Sequence, residues 1–480
     1  MASPLFTGRH QERKQLLDLL DSPSAELVSV TGRRRVGKTF LVKQTFKDVG
    51  IDFSISGLQK GSKSEQLLAF ELALSAGQGR EAELSGVKEW QVAFVQLINY
   101  LNGKQKSGKL ILFFDELPWL ATPKSGFLRA FSFFWNNWAV DQNILVIICG
   151  SAASWMMQKV VNDKGGLHNR ITRSITLDPF TLHETREYLQ ARHFVYPNEA
   201  ILDIYLALGG IPFYLRDLSP DLTPTENIDA LCFDRKGALN TEFSRLYPAL
   251  FERAERHEAI IRQLAKHLYG LTRKQLLKTT ALSDGGGFTK ALEELEYSGF
   301  IEGYRSFNRK KSGRVYRLID EYSLFYLRFI EPNRKEGRGT WQKLSRSPAA
   351  TTWSGYAFET VGLRHIRQIK TALGMASVAT STSTFYHPGD DDHGRLQIDL
   401  IIDRADKSLH LCEFKFYDTP VYFSPSQLIA LEQRRLAFRE LSGVKKTIFT
   451  TLIAPQGLSG KAVVGGVINQ VVELDDLFVE

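Results

Sequence analysis

Cysteine is scarce in this chain, with three residues in 480. Cys149, Cys232 and Cys412 lie far apart and match neither a disulfide framework nor the spacing of a zinc site. Two of them fall in strand-like apolar runs, where we expect buried free thiols. The sequence therefore does not have the pattern of a disulfide-stabilised secreted scaffold or of a cysteine-ligated zinc protein.

Long apolar runs are also lacking. No stretch reaches the roughly 18 to 20 residues that cross a bilayer, and the first residues do not have the pattern of a signal peptide. We therefore expect a cytoplasmic protein without a membrane partner. With 43% hydrophobic and 24% charged residues, the composition is that of an ordinary globular protein. At 480 residues the chain is too long for one hydrophobic core, and we expect two to four domains.

The net charge is +8. A solvated surface rich in lysine and arginine would explain this excess, and so would a nucleic-acid partner. Composition leaves both explanations open.

Residues 1–150 alternate helical segments with short, nearly continuous apolar strands, a pattern typical of a parallel sheet buried on both faces.

The most specific motif is GRRRVGKT, residues 32–39, which lies between an apolar strand and a helical run. It fits G-x-x-x-x-G-K-[ST], the P-loop pattern, in the strand–loop–helix context that the motif requires. Gly32 and Gly37 allow the backbone N–H groups to surround phosphates. Lys38 would reach the β- and γ-phosphates, and the Thr39 hydroxyl would bind Mg²⁺. The motif predicts an ATP·Mg²⁺ site.

A second motif supports the first. LILFFDELPWL is an apolar strand that ends in Asp115 and Glu116, as expected of a Walker B carboxylate pair. Asp115 would hold Mg²⁺ through its water shell, and Glu116 would polarise the attacking water. The next strand ends in Gly150 and Ser151. The Ser151 side chain could sense the γ-phosphate or serve as the N-cap of the following helix, and the sequence leaves both roles open.

Six motifs in order resemble the archaeal-type ATPases of the STAND class, which are relatives of the AAA+ proteins. They are F-x-G-R-x-x-E from Phe6, GRRRVGKT, FFDELPWL, CGSAASWM, the loop of Arg170 and Arg173, and GGIPFYL. The resemblance implies a nucleotide-controlled switch or motor. It places Arg9 and the Gly209–Pro212 segment near the adenine, and Arg170, or else Arg173, near the γ-phosphate. The predicted nucleotide-binding set is Arg9, Gly32, Val36, Gly37, Lys38, Thr39, Phe40, Ser151, Arg170 and Pro212.

The resemblance also implies a winged helix after the ATPase lobe, and residues 258–320 suit it with three short helices and a charged hairpin. We expect the recognition helix at 287–298. The expected wing carries four basic residues, Arg309, Lys310, Lys311 and Arg314. DNA is therefore the expected partner, although a winged helix used for protein contacts is an open alternative.

The C-terminal part carries a third constellation. Asp399 ends one strand-like run, and Glu413 and Lys415 share a face of the next, because side chains alternate along a strand. Asp399 and Glu413 could share a divalent cation, and Glu359 on an upstream helix could complete the metal site. Lys415 could act on the attacking water. An inert module or a plain surface ion-pair set is the alternative.

The order Glu, Asp, Glu-x-Lys is similar to that of the PD-(D/E)XK nuclease superfamily. Ile398 precedes Asp399, where many members have proline. The helix over 425–441 carries Gln427, Gln433, Arg434 and Arg435. Some relatives place a polar or basic residue there that faces the phosphate backbone, but here we expect an exposed basic face. The HPGDDDHG stretch at 387–394 reads as a solvated hairpin turn.

The predicted fold class is α/β: a P-loop parallel-sheet core with a helical lid, a winged helix and a C-terminal restriction-endonuclease-like domain. The expected boundaries are 1–177 for the ATPase domain, 178–257 for the lid, 258–330 for the winged helix, 331–350 for a linker and 351–480 for the nuclease-like domain. The predicted function is an ATP-hydrolysing, DNA-acting protein with a Mg²⁺-dependent nuclease domain under ATP control. The alternative is a STAND-type ATP-dependent switch, able to form homo-oligomers, whose C-terminal domain only binds DNA or protein.

Overall fold

The computed structural model describes residues 6–79, 84–104, 108–161, 166–167, 169–307, 314–391, 393–459 and 466–480. The chain divides into two compact units. The first comprises residues up to Asp178 together with Leu292–Gly299, and the second comprises Pro179–Ala291 and Phe300–Glu480. Within the described residues, no helix is both long and apolar enough to cross a membrane.

The first unit is built on a five-stranded sheet in which every pairing is parallel. Its strands are β1 (Glu26–Gly32), β2 (Phe53–Ser56), β3 (Leu110–Asp115), β4 (Ile144–Gly150) and β5 (Arg173–Leu177), in the order β2-β3-β4-β1-β5. Every residue of β1 and β4 is buried. Strands covered on both faces need apolar side chains throughout, which explains the unbroken apolar runs. The predicted parallel sheet is confirmed.

Among the residues that the structure describes, the α-helices that accompany these strands are α1 (His10–Asp18), α2 (Lys38–Thr45), α3 (Lys63–Gln78), α4 (Trp90–Asn102), α5 (Leu117–Leu120), α6 (Phe127–Asn137) and α7 (Ala153–Met156). A 3₁₀-helix covers Ala139–Asp141 and a π-helix Met157–Val161. The core is rich in aromatic rings. Phe94 of α4 lies 5.2 Å from Phe134 of α6 between ring centroids, and Phe114 of β3 lies 5.4 Å from Phe131. These contacts hold α4 and α6 on the sheet that ends at the predicted nucleotide site.

The second unit begins with helices α8 (Leu182–Gln190), α9 (Asn198–Leu208), α10 (Pro212–Leu215), α11 (Pro224–Cys232), α12 (Phe243–Leu246) and α13 (Ala254–Lys266). Gly209 ends α9 with a φ of 65°, and a Cβ on Gly210 would lie 1.9 Å from the carbonyl oxygen of Phe180. Glycine is required at both positions. Gly209 adopts a left-handed backbone conformation, and Gly210 lies too close to the Phe180 backbone for a side chain.

A small antiparallel sheet follows. It contains β6 (Leu271–Thr272), β7 (Ile301–Tyr304) and β8 (Val315–Leu318) in the order β6-β8-β7, with α14 (Arg273–Thr280) and α15 (Gly286–Tyr297) between β6 and β7. Next come α16 (Glu321–Phe325), a π-helix at Tyr326–Ile330 and α17 (Thr340–Leu344). The predicted wing residues Arg309, Lys310 and Lys311 lie outside the described residues. Arg314 is described, and its Nε–H donates to the carbonyl of Gly303 at 3.0 Å.

The segment 331–350, expected to be a linker, contains α17, and part of it is packed. Trp341 of α17 is 5% exposed, and its ring centroid lies 4.8 Å from that of Phe325. The Trp341 backbone N–H donates to the Asp229 carboxylate at 2.7 Å. Charged and small residues dominate the segment in sequence, whereas its one tryptophan is buried among other aromatic rings.

The C-terminal part is a second α/β layer. Its elements are α18 (Pro348–Arg364), α19 (Ile366–Ala372), β9 (Thr380–His387), β10 (Leu396–Arg404), β11 (Ser408–Phe414), α20 (Pro425–Ser442), β12 (Thr447–Ile453), β13 (Gln470–Val472) and α21 (Leu474–Leu477). The sheet order is β13-β12-β11-β10-β9, antiparallel between β9, β10 and β11 and parallel between β11, β12 and β13. The backbone N–H of Phe307, just after β7, donates to the backbone carbonyl of Thr384 on β9 at 2.8 Å.

His365, at the end of α18, is buried and makes hydrogen bonds with both ring nitrogens. The Leu182 N–H donates to its Nε2 at 2.9 Å, and Nδ1 donates to the Val361 carbonyl at 2.7 Å. These contacts suit the neutral ring. Burial lowers the pKa of His365 to about 4. When the pKa of a histidine is lower in the folded than in the unfolded state, the free energy of unfolding is greatest above the unfolded pKa. It falls as the pH decreases from the unfolded pKa to the folded pKa.

We therefore expect His365 to make the second unit acid-sensitive between about pH 6.5 and pH 4. Between pH 7.5 and pH 5 the loss should be about 2 kcal/mol, because one pKa unit corresponds to about 1.4 kcal/mol. Urea unfolding of wild type and His365→Gln at the two pH values measures it. The glutamine can keep both hydrogen bonds without titrating, so an equal loss in the variant would contradict the assignment.

Candidate functional site

The loop between β1 and α2 has the backbone that its two glycines allow. Gly32 has a φ of 140° and Gly37 a φ of 94°. A Cβ on Gly32 would lie 2.3 Å from the carbonyl oxygen of Leu177. A side chain at position 32 would therefore displace β5 as well as strain the loop, which explains glycine at the first position of the motif.

Lys38 opens α2 and is 5% exposed. Its Nζ donates to the carbonyls of Gly32 and Arg33, each at 2.9 Å, and to Ser151 Oγ at 3.1 Å. These three acceptors are uncharged, so no carboxylate in this set neutralises the ammonium. The lysine is held at the mouth of the loop, where phosphate oxygens bind in a P-loop.

Thr39 and Asp115 lie side by side. The Thr39 hydroxyl donates to Asp115 Oδ2 at 2.8 Å, and the Ser56 hydroxyl contacts the same oxygen at 3.3 Å. Asp115 Oδ1 accepts the N–H of Glu116 at 3.1 Å. A hydroxyl and a carboxylate in direct contact form the oxygen-rich donor set that Mg²⁺ prefers, so the residues present fit this ion.

Glu116 follows β3 in the left-handed region, with φ 48° and ψ 50°. Its carboxylate accepts the Ser151 N–H at 2.9 Å and also the Ser151 hydroxyl. A non-glycine residue in this conformation costs about 1 kcal/mol or more, and such strain is common where a side chain is aimed for chemistry. Ser151 thus contacts both Lys38 and Glu116.

The remaining predicted nucleotide-binding residues are spread around this centre. Arg9 is 5% exposed, and its guanidinium donates to the carbonyls of Asp178 and, at 3.5 Å, of Val36. Phe40 is 40% exposed and stacks on Phe6, with ring centroids 6.0 Å apart. Arg9 therefore connects the P-loop to the residue that follows β5, and the half-exposed Phe40 ring lies on α2, directly after the loop.

Two further residues of that set lie elsewhere. Arg170 is exposed, in a turn before β5. Pro212 belongs to the second unit, where it begins α10.

A pocket of about 640 Å³ lies in the second unit. Its walls include all four residues predicted for the C-terminal site, Glu359, Asp399, Glu413 and Lys415. They also include Tyr269, Tyr356, Arg395, Gln397, Phe416, Tyr417 and Arg434. Sequence reasoning therefore selected residues that the fold brings to one place.

A β-bulge shapes this pocket. The register between β10 and β9 shifts between Ile398 and Ile401, so β10 carries an extra residue next to Asp399. Leu400 pairs with Cys412, which places Asp399 one step further, opposite Glu413. Bulges re-aim side chains and are common beside functional sites. Lys415 follows the end of β11, where its N–H donates to the Ile453 carbonyl at 3.0 Å.

Arg317 of β8 holds two of the predicted metal ligands. Its Nη1 donates to Glu359, and its Nη2 donates to Asp399 Oδ1 at 3.0 Å. Asp399 Oδ1 also accepts from Gln397 at 2.8 Å. Burial, with the nearby Asp399 carboxylate, raises the pKa of Glu359 to about 8 against the opposing effect of Arg317. Burial lowers the pKa of Arg317, but the Glu359 and Asp399 carboxylates outweigh this effect and raise it.

The third carboxylate is also paired. Glu413 accepts from Lys415 at 2.9 Å and from Arg434 Nη1 at 2.8 Å. Arg434 Nη2 donates to the Gln397 carbonyl at 2.7 Å. The prediction that Arg434 belongs to an exposed basic face is therefore wrong, because its guanidinium turns into the pocket. The neighbouring Arg435 pairs with Glu432 on α20.

As arranged here, these residues do not fit a divalent cation. Among the residues that the structure describes, no group of three or more His, Cys, Asp or Glu side chains is placed to hold a metal ion. Glu359 and Asp399 are engaged by Arg317, and Glu413 is engaged by two other cations. The predicted carboxylates converge on one pocket, but the predicted metal site is not assembled.

Sequence reasoning missed Arg317 and Gln397. Gln397 precedes Asp399 by two residues on the same strand, so strand alternation could have identified it. Arg317 lies 42 residues before Glu359 and 82 before Asp399 in the chain. No local pattern could connect residues at those separations.

Two minor predictions can also be compared with the structure. The two cysteines in strands, Cys149 and Cys412, are free and buried as expected, and Cys232 of α11 is free and buried as well. Burial raises the pKa of Cys412. In the 387–394 stretch Asp392 lies outside the described residues. His387 and His393 both contact Asp390, at 3.1 and 3.5 Å, in the connection between β9 and β10.

The part of the chain that contains the P-loop, Asp115, Glu116 and Ser151, here called the first centre, is similar to a known family of ATPase domains. Residues 6–218 match the family model described as an ATPase domain predominantly from Archaea. The chain is 24% identical over 420 residues to MJECL04, an uncharacterized protein of Methanocaldococcus jannaschii, a match that covers 86% of this chain and 88% of the relative. MJ0424, an uncharacterized protein of the same organism, is 30% identical over 95 residues, covering 20% of this chain and 88% of that protein.

The fold has a counterpart among solved structures. The Walker-type ATPase PABY2304 of Pyrococcus abyssi superposes with a TM-score of 0.50 at 18% identity, covering 67% of this chain and 96% of that chain. At this identity the likeness shows a shared fold. The matched range, residues 6–218, includes the P-loop lysine, the Asp115–Glu116 pair and Ser151. The chain therefore contains a P-loop ATPase domain of archaeal type.

Proposed function

We propose that this chain is an ATP-hydrolysing, DNA-acting protein whose C-terminal α/β part cleaves phosphodiester bonds under the control of ATP. The contact of one side chain, Ser151, with both Lys38 and Glu116 carries the ATPase half of this proposal. The convergence of Glu359, Asp399, Glu413 and Lys415 on one pocket supports the other half.

In the ATPase centre each side chain has one task. Lys38 binds the β- and γ-phosphates, because three uncharged acceptors leave its charge available. Glu116 orients and polarises the attacking water. Thr39 and Asp115 hold Mg²⁺, which when bound neutralises charge on the phosphates.

Ser151 couples phosphate binding to catalysis. Its hydroxyl and N–H hold the Glu116 carboxylate, and its Oγ also accepts from Lys38. A γ-phosphate that draws the lysine away removes one partner of the Ser151 hydroxyl and changes how the serine holds Glu116. Ser151 is therefore a positioning residue that makes the glutamate sensitive to the occupant of the loop.

The pocket of the second unit is suited to a nucleic-acid strand. Lys415, Arg434 and Arg395 line it and can contact phosphates. Tyr417 is 53% exposed and Tyr269 43% exposed at the same pocket, and such rings stack on unpaired bases. The volume of about 640 Å³ lies in the range of pockets for single small ligands. We propose that it takes an unstacked nucleotide of a strand.

The alternative is a STAND-type switch that binds nucleic acid or protein, and forms homo-oligomers with ATP, without cutting. The pairing of Glu359 and Asp399 with Arg317 favours it, because neutralised carboxylates do not attract a metal ion. A winged helix over 258–330 with a basic wing supplies DNA contacts in both versions.

Replacing the two central residues should separate binding from turnover. We expect Lys38→Ala to lose tight ATP binding and Glu116→Gln to keep it while kcat falls at least about 100-fold, the usual cost of removing a general base. Fluorescent-nucleotide titration and phosphate release measure the two effects. Unchanged hydrolysis in either variant would show that the residue has been assigned a wrong role.

Removing the Ser151 hydroxyl tests the coupling. We expect Ser151→Ala to bind ATP within a few-fold of wild type and to lose about ten- to a hundred-fold in kcat, because Glu116 loses a positioning hydrogen bond. Ser29→Ala is the matched control, since Ser29 is also buried in this sheet and donates to Ser174 at 3.0 Å. If both variants turned over ATP equally, Ser151 would have no positioning role.

Cleavage should depend on the second pocket, and ATP hydrolysis should not. We expect Glu413→Ala and Lys415→Ala to lose cleavage of labelled single-stranded, branched and duplex DNA while ATP hydrolysis stays within about twofold. Lys446→Ala is the control, because Lys446 pairs with Asp403 of β10 and does not line the pocket. If wild type cuts no form of DNA with Mg²⁺ or Mn²⁺, the alternative replaces the nuclease proposal.

A further inference from the structure

Arg395 lines the pocket of the second unit, just before β10, and its side chain is exposed there. Its guanidinium lies over two aromatic rings, 5.9 Å from the centroid of Tyr269 and 5.6 Å from that of Tyr386. Guanidinium groups bind phosphate oxygens, and tyrosine rings stack on unpaired bases. We propose that Arg395, Tyr269 and Tyr386 form a subsite that binds one nucleotide of a single-stranded nucleic acid without a metal ion. This inference rests on the proposed nucleic-acid binding of the pocket and names the form of nucleic acid that the pocket selects.

The charge of Arg395 is used differently from those of the other cations of this pocket. Lys415 and Arg434 both pair with Glu413, at 2.9 and 2.8 Å. Arg395 belongs to none of the ion pairs found among the residues that the structure describes. Together with Arg317, the described charged groups of this region are four cations and three carboxylates, an excess of one positive charge that favours an anionic ligand. A phosphate can bind Arg395 without displacing any of the described carboxylates.

Another arginine between two rings, Arg192, shows the difference from a structural role. It lies 5.6 Å from the ring centroid of Tyr188 and 5.5 Å from that of Phe194. Its two terminal nitrogens donate to backbone carbonyls at 2.6 and 3.1 Å, so its donors are used inside the fold. In the described part of the chain the Arg395 guanidinium has rings beside it but no such acceptor. The rings restrict its orientation, and its N–H groups remain available to phosphate oxygens.

The strand register places Tyr386 on the same face of the sheet as the pocket. Gln397 of β10 lines the pocket and pairs with Tyr386 of β9. Residues directly opposite each other in an antiparallel pair lie on one face of the sheet. Tyr386 is 48% exposed, so part of its ring remains open beside Arg395. The aromatic surface of the pocket therefore continues onto β9, where a base can stack.

The subsite selects a single strand because it contacts two parts of a nucleotide. Arg395 binds the phosphate, which single strands and duplexes share. The rings bind a base face, which is accessible only where the base is unstacked from its neighbours. A further ring, Tyr417, is 53% exposed in the same pocket and can take a neighbouring base. The pocket therefore distinguishes the two forms through its rings and not through its charges.

Oligonucleotide binding in EDTA tests this subsite. The fluorescence anisotropy of a labelled dT strand of about twelve nucleotides, and of a duplex of equal length, reports binding to the full-length, nucleotide-free protein. We expect Arg395→Met to weaken strand binding about tenfold, because a charge-assisted hydrogen bond is lost. It should also reduce the slope of log K against log salt by about 0.7, the value for one phosphate contact on a single strand.

Matched variants separate charge from stacking. Tyr386→Leu should weaken strand binding at least about fivefold and leave the salt slope and duplex binding unchanged, because it removes a ring and no charge. Tyr386→Phe keeps the ring and should bind as wild type does. Arg395→Lys keeps the charge and should restore the salt slope but only part of the affinity. Arg439→Met, which removes an exposed arginine of α20 that does not line the pocket, is the control and should change neither quantity.

Strand binding by Arg395→Met and Tyr386→Leu that equals that of wild type would overturn the proposal. An equal loss of strand and duplex binding in Tyr386→Leu would also overturn it, as would strand binding that requires Mg²⁺. The nuclease function has a separate outcome. A wild type that binds the strand through Arg395 but cuts no DNA with Mg²⁺ or Mn²⁺ would support the subsite and refute the nuclease function, whereas cleavage by wild type with unchanged binding in both variants would do the reverse.

Discussion

Alignment of strand ends in one parallel sheet is the constraint on which the ATPase centre depends. β1, β3 and β4 run in the same direction, and the P-loop, the Asp115–Glu116 pair and Ser151 follow their carboxyl ends. Such ends meet at one edge of a sheet, which is where α/β proteins bind ligands. The buried apolar strands form the core, and their parallel register also positions the site. It brings Lys38 Nζ to 3.1 Å from Ser151 Oγ.

This dependence explains why the first centre could be predicted from sequence. Its residues lie at the end of a strand or in the loop and helix start that follow it. An apolar run followed by Gly, Asp or Ser shows this position in the sequence. The contact of Ser151 with Glu116 could not be predicted from the sequence, since a serine at a helix start is equally compatible with a cap. In the structure the Ser151 hydroxyl contacts the Glu116 carboxylate, and a role in sensing the γ-phosphate stays a prediction.

The second centre shows where local patterns stop being informative. Strand alternation and the order of motifs brought Glu359, Asp399, Glu413 and Lys415 to one pocket. The cations that balance them come from β8 and from the inward face of α20. An arginine such as Arg434 reads as exposed when its helix is considered alone, because long basic side chains are usually solvated. Its direction depends on Glu413 and on the Gln397 carbonyl, which only the tertiary fold supplies.

The two centres differ in how their charges are left. In the first, Lys38 contacts two carbonyls and a hydroxyl, so its ammonium is not paired with a carboxylate through these three contacts. In the second, each of the three acidic side chains already contacts a basic side chain of the same chain. Breaking a buried pair on one side is costly, because it exposes the desolvation cost of the remaining group. The P-loop lysine is therefore placed to bind an anion as folded, whereas a charged ligand that contacts the paired groups of the second pocket must compete with ion pairs that the chain itself supplies.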